Sequence, residues 1–358
     1  MSAAISLASA GRWLLHSGIQ EPSGGFARFY NLETGKNKPV STEITGYAAS
    51  ALVWLFQTTK DEEYLQRARE TSRFLMAAWD DESQTFPFEY PSPSAESEHL
   101  SYFFDSGIII RGLLAVWREI GDDQLLDLAT RAAQGMLVDF RAANDFHPIL
   151  ALPSKTPLPR TSQWSRASGC YQLKAARAWW DLAEITGDTT LRAAYLEFVE
   201  RSLATHGTLL AAAACPHETM DRLHPCCYFL EGLLPQLERT EHAQVYLEYI
   251  ASISYLLREI ANDFVRSDVY AQILRARLYA AAVIPVDGTA AGQEAEELAA
   301  FQARSDDPRI NGGFYFGRRN GSTSPQVNPV STVFAIQALE TWRQHQAGSK
   351  TPCQRLLI

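Results

Sequence analysis

"ITGYAASALVWLFQTTKDEEYLQRARETSRFL", residues 44–75, decides the fold. Its first half is apolar on nearly every side and rich in small residues, which marks a helix enclosed by others. Its second half sets Arg and Glu at helical spacing opposite Leu, Ala and Phe, the pattern of a helix with one face in water. A short polar turn joins them. The same plan returns at 105–137, "DSGIIIRGLLAVWREIGDDQLLDLATRAAQGML", and at 167–203, "ASGCYQLKAARAWWDLAEITGDTTLRAAYLEFVERSL". A fourth copy (226–257) and a fifth (268–281 with 292–303) keep it less tidily, and "NPVSTVFAIQALETWRQ" (328–344) supplies one more enclosed helix. Its outer partner is "SLASAGRWLLHSG" (6–18) from the start of the chain. Helical repeats of this kind bury their apolar faces only against their neighbours. The expected fold is therefore all-α, an (α/α)6 toroid of six helical hairpins forming a single domain over 1–358, with inner helices beginning near Thr45, Ser106, Ser168, Cys226, Ser267 and Ser331.

Composition narrows the function. With 46% hydrophobic and 20% charged residues the chain is an ordinary globular sequence, and a net charge of -9 argues against a nucleic-acid or membrane-surface binder, which needs a basic face. No apolar run approaches the roughly 18 to 20 residues of a membrane span, so no membrane insertion is expected. Five cysteines, an odd number scattered over a long chain, do not suggest a disulfide scaffold, and a cytoplasmic location is the expectation.

The repeats absorb several tempting motifs. "GDDQLLD" (121–127) resembles an aspartate-rich cation motif, but "KDEEYL" and "GDTTLR" occupy the same turn in neighbouring repeats, so these aspartates read as helix N-caps. Trp54, Trp117 and Trp179 fall on inner helices and read as core. Gly25 and Gly313, in "SGGF" and "NGGF", read as turn residues leading into hairpins. The proline-bearing segment 146–163, "FHPILALPSKTPLPRTSQ", reads as a long loop over one mouth of the toroid.

What remains is a set of polar residues at inner-helix starts. Glu43 and Asp105 precede the first two, Trp164 and Arg166 the third, and His217, Glu218, Asp221 and His224 the fourth; Asp268 sits at the fifth and Asn328 before the sixth. Helix N-termini that meet at one mouth gather unpaired N–H groups and positive dipole ends, a setting for polar and anionic ligands. Taken one by one, each of these residues reads as a cap or first-turn acid.

"VSTEITGY" (40–47), "FDSGIIIRGLLAVWREIGD" (104–122) and "LHPCCYFLEGLL" (223–234) resemble the helix starts of bacterial six-hairpin (α/α)6 proteins associated with polysaccharide metabolism and, more distantly, of unsaturated glucuronyl hydrolases. The resemblance implies an oligo- or polysaccharide substrate and directs attention to Glu43, Asp105 and His224. Glycoside hydrolysis needs one carboxylic acid for the leaving oxygen and a second carboxylate as base or nucleophile. Asp105, between "YFF" and "GIII", has the more apolar neighbourhood and is the expected acid; Glu43, between threonines, is the expected base. Tyr47, Tyr102 and Trp164 would stack on sugar faces, and Arg160, Arg166 or Arg318 would hold a uronate carboxylate. A lyase or epimerase would instead use His224 to take a proton.

Other classes compete. "CPHETMDRLHPCC" (215–227) packs Cys215, His217, Asp221, His224, Cys226 and Cys227 closely and resembles the zinc chemistry of lanthionine cyclases, although the Cys-His-Gly motif is missing. "QEPSGGF" (20–26) resembles the Gln-xxx-Gly-x-aromatic repeat of terpenoid cyclases and prenyltransferases, without an acidic Asp-rich protonation motif before an inner helix. A glycan-binding or assembly protein without turnover is a further alternative. The expectation is an enzyme with neither cofactor nor metal.

Overall fold

Inner and outer helices differ because the turns between them are built to stop one helix and start another. The computed structural model of the protein describes residues 3–91, 98–211 and 215–358. After α1 (Ala3–His16) come three regular hairpins: α2 (Thr42–Thr59) with α3 (Glu62–Ala78), α4 (Phe103–Ile120) with α5 (Asp123–Asp139), and α6 (Leu173–Thr186) with α7 (Thr189–Thr205). The inner helix of each ends in a left-handed residue, Lys60, Gly121 or Gly187, whose N–H returns to the carbonyl of Phe56, Trp117 or Ala183. An aspartate then caps the outer helix. Asp61 accepts from Glu63 N at 3.0 Å, Asp122 from Gln124 N at 3.1 Å, and Asp188 from Thr190 N at 2.8 Å. The aspartate-rich turns are caps, as their repetition predicts.

The helices divide into two compact units. One comprises Gln20–Arg28 and Lys38–Thr205 and holds these three hairpins. Its inner helices touch backbone to backbone through small residues. A Cβ on Gly46 would lie 2.9 Å from Ile109 Cα, and one on Gly112 would lie 2.5 Å from the Gly46 carbonyl oxygen. Trp54 and Trp179 are buried and Trp117 is half-buried; Trp179 donates its indole N–H to the Ala133 carbonyl at 3.1 Å.

Segment 146–163, read from sequence as one long loop, is in part core. Phe146, Ile149 and Leu150 are buried, and Phe146 packs on Trp179 and Phe198. Residues Ile149–Ala151 pair antiparallel with both Leu100–Tyr102 and Thr156–Pro157. The Pro148 carbonyl accepts the N–H of Phe103, the first residue of α4. Half of the segment is core that fixes the start of α4, and only its later residues lie at the surface.

The other unit comprises Met1–Ile19, Phe29–Asn37 and His206–Ile358. It contains α8 (Gly207–Ala211), α9 (Pro216–Leu233), α10 (Thr240–Glu259), α11 (Ser267–Tyr279), α12 (Gly288–Ala299) and α13 (Pro329–Gln346). Helix α1 packs on α13, as the hairpin pattern requires. Two small sheets join Tyr30–Asn31 to 36–37 and 326–327, and Phe264–Arg266 to 317–319. The start of α9 corrects the sequence reading. Pro216 opens the helix, which then runs through Pro225, so His217, Glu218, Asp221 and His224 lie on α9 and do not precede it. A proline inside a helix sacrifices one backbone hydrogen bond, and "HPCC" consequently looks like a boundary when it is not.

The two Gly-Gly-Phe turns have the same construction in both units. Gly24 and Gly312 have φ of +94° and +95°, and the next residues, Gly25 and Gly313, leave no room for a Cβ against Val40 and Phe74, or Val327 and Trp13. It is the first glycine of each pair that makes the turn. Phe26 N donates to Thr45 Oγ1 and Phe314 N to Thr332 Oγ1, both at 2.9 Å. Gln20 and Gln302 donate to the carbonyls of Gly24 and Gly312, both at 3.1 Å. The Gln-Gly-aromatic pattern of 20–26 is thus an anchor for a hairpin start.

Candidate active site

Three inner helices of the first unit bring their first turns together. Ser41 caps α2 by accepting from Ile44 N, which places Glu43 in the first turn with Tyr47 one turn further on. Asp105 occupies the first turn of α4, directly after the strand that ends at Tyr102. The 3-10 turn Cys170–Gln172 leads into α6 at Leu173 and sets Lys174 at its start. All three ionisable side chains sit among apolar and aromatic groups.

Burial controls their ionisation. Asp105 is 6% exposed and its Oδ2 is enclosed without a hydrogen-bond partner. Desolvation, and then the negative charge of Glu43, hold its carboxyl well above the usual carboxylate range. Part of Glu43 reaches the surface, yet protein crowds its carboxyl; burial pushes it up to about 7 against the opposing pull of the Lys174 ammonium. Lys174 is fully enclosed, with Nζ 4.9 Å from the centre of the Tyr47 ring, a cation–π contact. Burial and then the Asp105 charge push Tyr102 up to about 12, and burial likewise raises Tyr171. The Trp164 ring stands edge-on to Tyr171 at 5.1 Å, and Arg166 lies 3.8 Å from Glu98 at the rim.

Of the residues singled out from sequence, the structure brings Glu43, Asp105, Tyr47, Tyr102, Trp164 and Arg166 into this one neighbourhood. Lys174 and Tyr171 belong to it as well and were not foreseen. Their signal was the position of Lys174 itself, a charge in the first turn of an inner helix, the same place that Glu43 and Asp105 hold in theirs. Arg160 lies elsewhere in the pattern of charges, paired with Asp145 at 2.6 Å.

A second polar group lies in the other unit. His217, Asp221 and His224 form one stripe of α9, spaced four and three residues apart. Asp221 meets His217 Nδ1 at 3.2 Å and Arg266 at 3.5 Å; Arg266 grips Asp268 at 3.0 and 2.6 Å; His224 Nδ1 lies 3.5 Å from Asp268 and 2.7 Å from Gln272 Oε1. Burial would raise Asp268, but the charges of Arg266 and His224 outweigh it and keep it ionised. Arg266 and Gln272 complete this network and were missed, because strand Phe264–Arg266 is set by pairing with residues distant in sequence. Glu218 stands exposed on α9. Arg318 turns to Glu297 at 3.5 Å and covers Phe301, and Asn328 caps α13 by accepting from Ser331 N at 2.6 Å. Cys226 and Cys227 are buried, Cys226 accepts from Tyr249 Oη at 3.0 Å, and Cys215 is exposed. Among the described residues no group of three or more His, Cys, Asp or Glu is placed to hold a metal ion.

Solved structures share this architecture. A sugar epimerase from a ruminal bacterium superposes with a TM-score of 0.70 at 11% identity, over 93% of this chain and 98% of that one. Cellobiose 2-epimerase from Spirochaeta thermophila gives 0.68 at 15% identity over 92% and 93%. An inactive α-1,6-mannanase variant from Salegentibacter sp., in complex with α-1,6-mannotriose, gives 0.57 at 10% identity over 94% and 98%. The chain is an (α/α)6 toroid. At these identities the likeness establishes the fold and no more. No protein-family model and no curated protein matches the sequence. Among the described residues no helix is long and apolar enough to cross a membrane.

Proposed function

We propose that the chain is a carbohydrate-active enzyme, a glycoside hydrolase of an oligo- or polysaccharide, with Asp105 as general acid and Glu43 as general base. The observation that carries this reading is the pairing of two carboxyls on adjacent inner helices, one held protonated by burial and the other poised near neutral pH. Asp105 gives its proton to the glycosidic oxygen as the C–O bond breaks, and Glu43 takes the proton of the water that adds to the anomeric carbon. Tyr47, Tyr102 and Trp164 offer aromatic surface to sugar rings, and Arg166 at the rim suits a uronate carboxylate. The solved mannanase complexes, with mannotriose and mannotetraose, lend support to an oligosaccharide ligand for this fold.

One observation favours a second reading, sugar epimerisation. His224 is backed by the Asp268 carboxylate and Gln272, an arrangement fit for moving a proton at carbon, and sugar epimerases are among the similar structures. A panel of neutral and acidic oligosaccharides in deuterated water separates the two. New reducing ends support the hydrolase; an epimeric product with deuterium on carbon, made without chain cleavage, replaces it with the epimerase; binding without turnover refutes both.

A further inference from the structure

We propose that Lys174 is a positioning residue that decides which carboxyl of the pair carries the proton, holding Glu43 as the carboxylate and leaving Asp105 as the acid. The inference rests on the acid–base reading above and names the device that divides the two roles. Tyr47 follows Glu43 by four residues on α2, so the Lys174 ammonium under its ring lies against the face of α2 that carries Glu43. On the other side, a Cβ on Gly107 would fall 2.3 Å from the Ala175 carbonyl oxygen, so α4 and α6 touch beside Asp105 and Lys174. Three successive inner helices each deliver one ionisable group to this place.

Charge balance then fixes the proton. Enclosed charges are costly unless paired. Two carboxylates and one ammonium leave a single negative charge in excess, and one proton removes it. That proton belongs on Asp105, where burial and the Glu43 charge outweigh one backbone hydrogen bond and Oδ2 is enclosed without a partner, while Glu43 faces the ammonium and keeps partial access to the surface. The remaining titratable groups around the pair do not compete. Tyr102, Tyr171 and Cys170 are all pushed upward by burial and stay neutral, and at the rim Arg166 is offset by Glu98. The ammonium acts on Glu43, and among the described residues no cation is a named cause of the shift at Asp105.

Carbon-13 NMR of labelled side chains tests this on the intact protein, with Glu43→Gln, Asp105→Asn and Lys174→Arg assigning the signals. The wild type should show Lys174 as an ammonium at pH 7, Glu43 titrating near 7 and Asp105 keeping its proton beyond that. Lys174→Met should raise the Glu43 midpoint by about one pH unit or more, and Lys174→Arg should keep it near the wild-type value. An unmoved Glu43 midpoint in folded Lys174→Met overturns the proposal. So does a neutral Lys174 amine in the wild type, a result that needs no variant to fold. The titration is read without any substrate, so a protein with no glycosidase activity but the expected shifts would sink the hydrolase reading and leave the charge assignment standing.

Discussion

Gly107 lies so close to Ala175 that a Cβ at position 107 would come within 2.3 Å of the Ala175 carbonyl oxygen. Helices can approach this closely only where position 107 carries no Cβ, and the approach sets the spacing of α4 and α6 at the level of Asp105 and Lys174. Gly107→Ala must push the two helices apart. Overpacking of this kind costs about 1–3 kcal/mol, and denaturant unfolding should show a lower midpoint with an unchanged slope. A midpoint equal to that of the wild type would mean the contact is looser than described.

Asp105 also makes a prediction about stability. Its folded pKa is raised, so its contribution is fully present below the unfolded aspartate value, about 3.9, and is lost as pH rises toward the folded value. Ionising this carboxyl works against folding. Asp105→Asn removes that penalty, so thermal melts at pH 7 to 8 should show the variant above the wild type, with the gap closing by about pH 4. A variant that melts lower at neutral pH would show that the carboxyl is a stabilising cap.

The hairpin plan was legible because it depends on local signals: period, small residues, and the capping aspartates Asp61, Asp122 and Asp188. Glu43 and Asp105 were legible for the same reason, each standing alone at the front of an apolar helix. The misses share a different cause. Lys174 stands on a helix that also carries Arg177, Asp181 and Glu184, so its charge does not stand out, and sequence alone does not tell a buried lysine from one reaching water. Arg266 and the core half of segment 146–163 depend on strand pairings between distant residues. The early start of α9 was masked by Pro225, whose cost to one hydrogen bond is outweighed by burial of Cys226, Cys227 and Phe229.

The network around Asp268 separates a buried ion pair from a surface one. Arg266 makes two hydrogen bonds to Asp268, and both side chains are largely enclosed; Arg318 meets Glu297 in water-exposed surroundings. Removing the guanidinium of Arg266 strips the enclosed Asp268 carboxylate of its two side-chain hydrogen bonds and leaves it only His224 at 3.5 Å, a loss of up to about 3–5 kcal/mol. Arg318→Met should cost no more than about 1 kcal/mol. Equal losses in chemical unfolding would contradict the burial of the first pair.

The acid–base assignment makes the sharpest demand. If Asp105 protonates the leaving oxygen and Glu43 deprotonates water, turnover on the active glycan should rise as pH passes about 7, where Glu43 ionises, and fall only where Asp105 loses its proton. Glu43→Gln and Asp105→Asn each keep the size and most of the polarity of the side chain, so the helical circular dichroism should be unchanged. Each should lower kcat by about 100- to 10,000-fold, the usual contribution of a general acid or base. Glu43→Gln should also erase the acidic limb, because the group that titrates there is gone, while Asp105→Asn should erase the alkaline one. Substrates with a good leaving group need little protonation, so they should restore Asp105→Asn more than Glu43→Gln. Near-normal turnover in both variants would reduce the pair to first-turn acids, and loss of binding with no change in kcat would make the site a sugar holder without chemistry of its own.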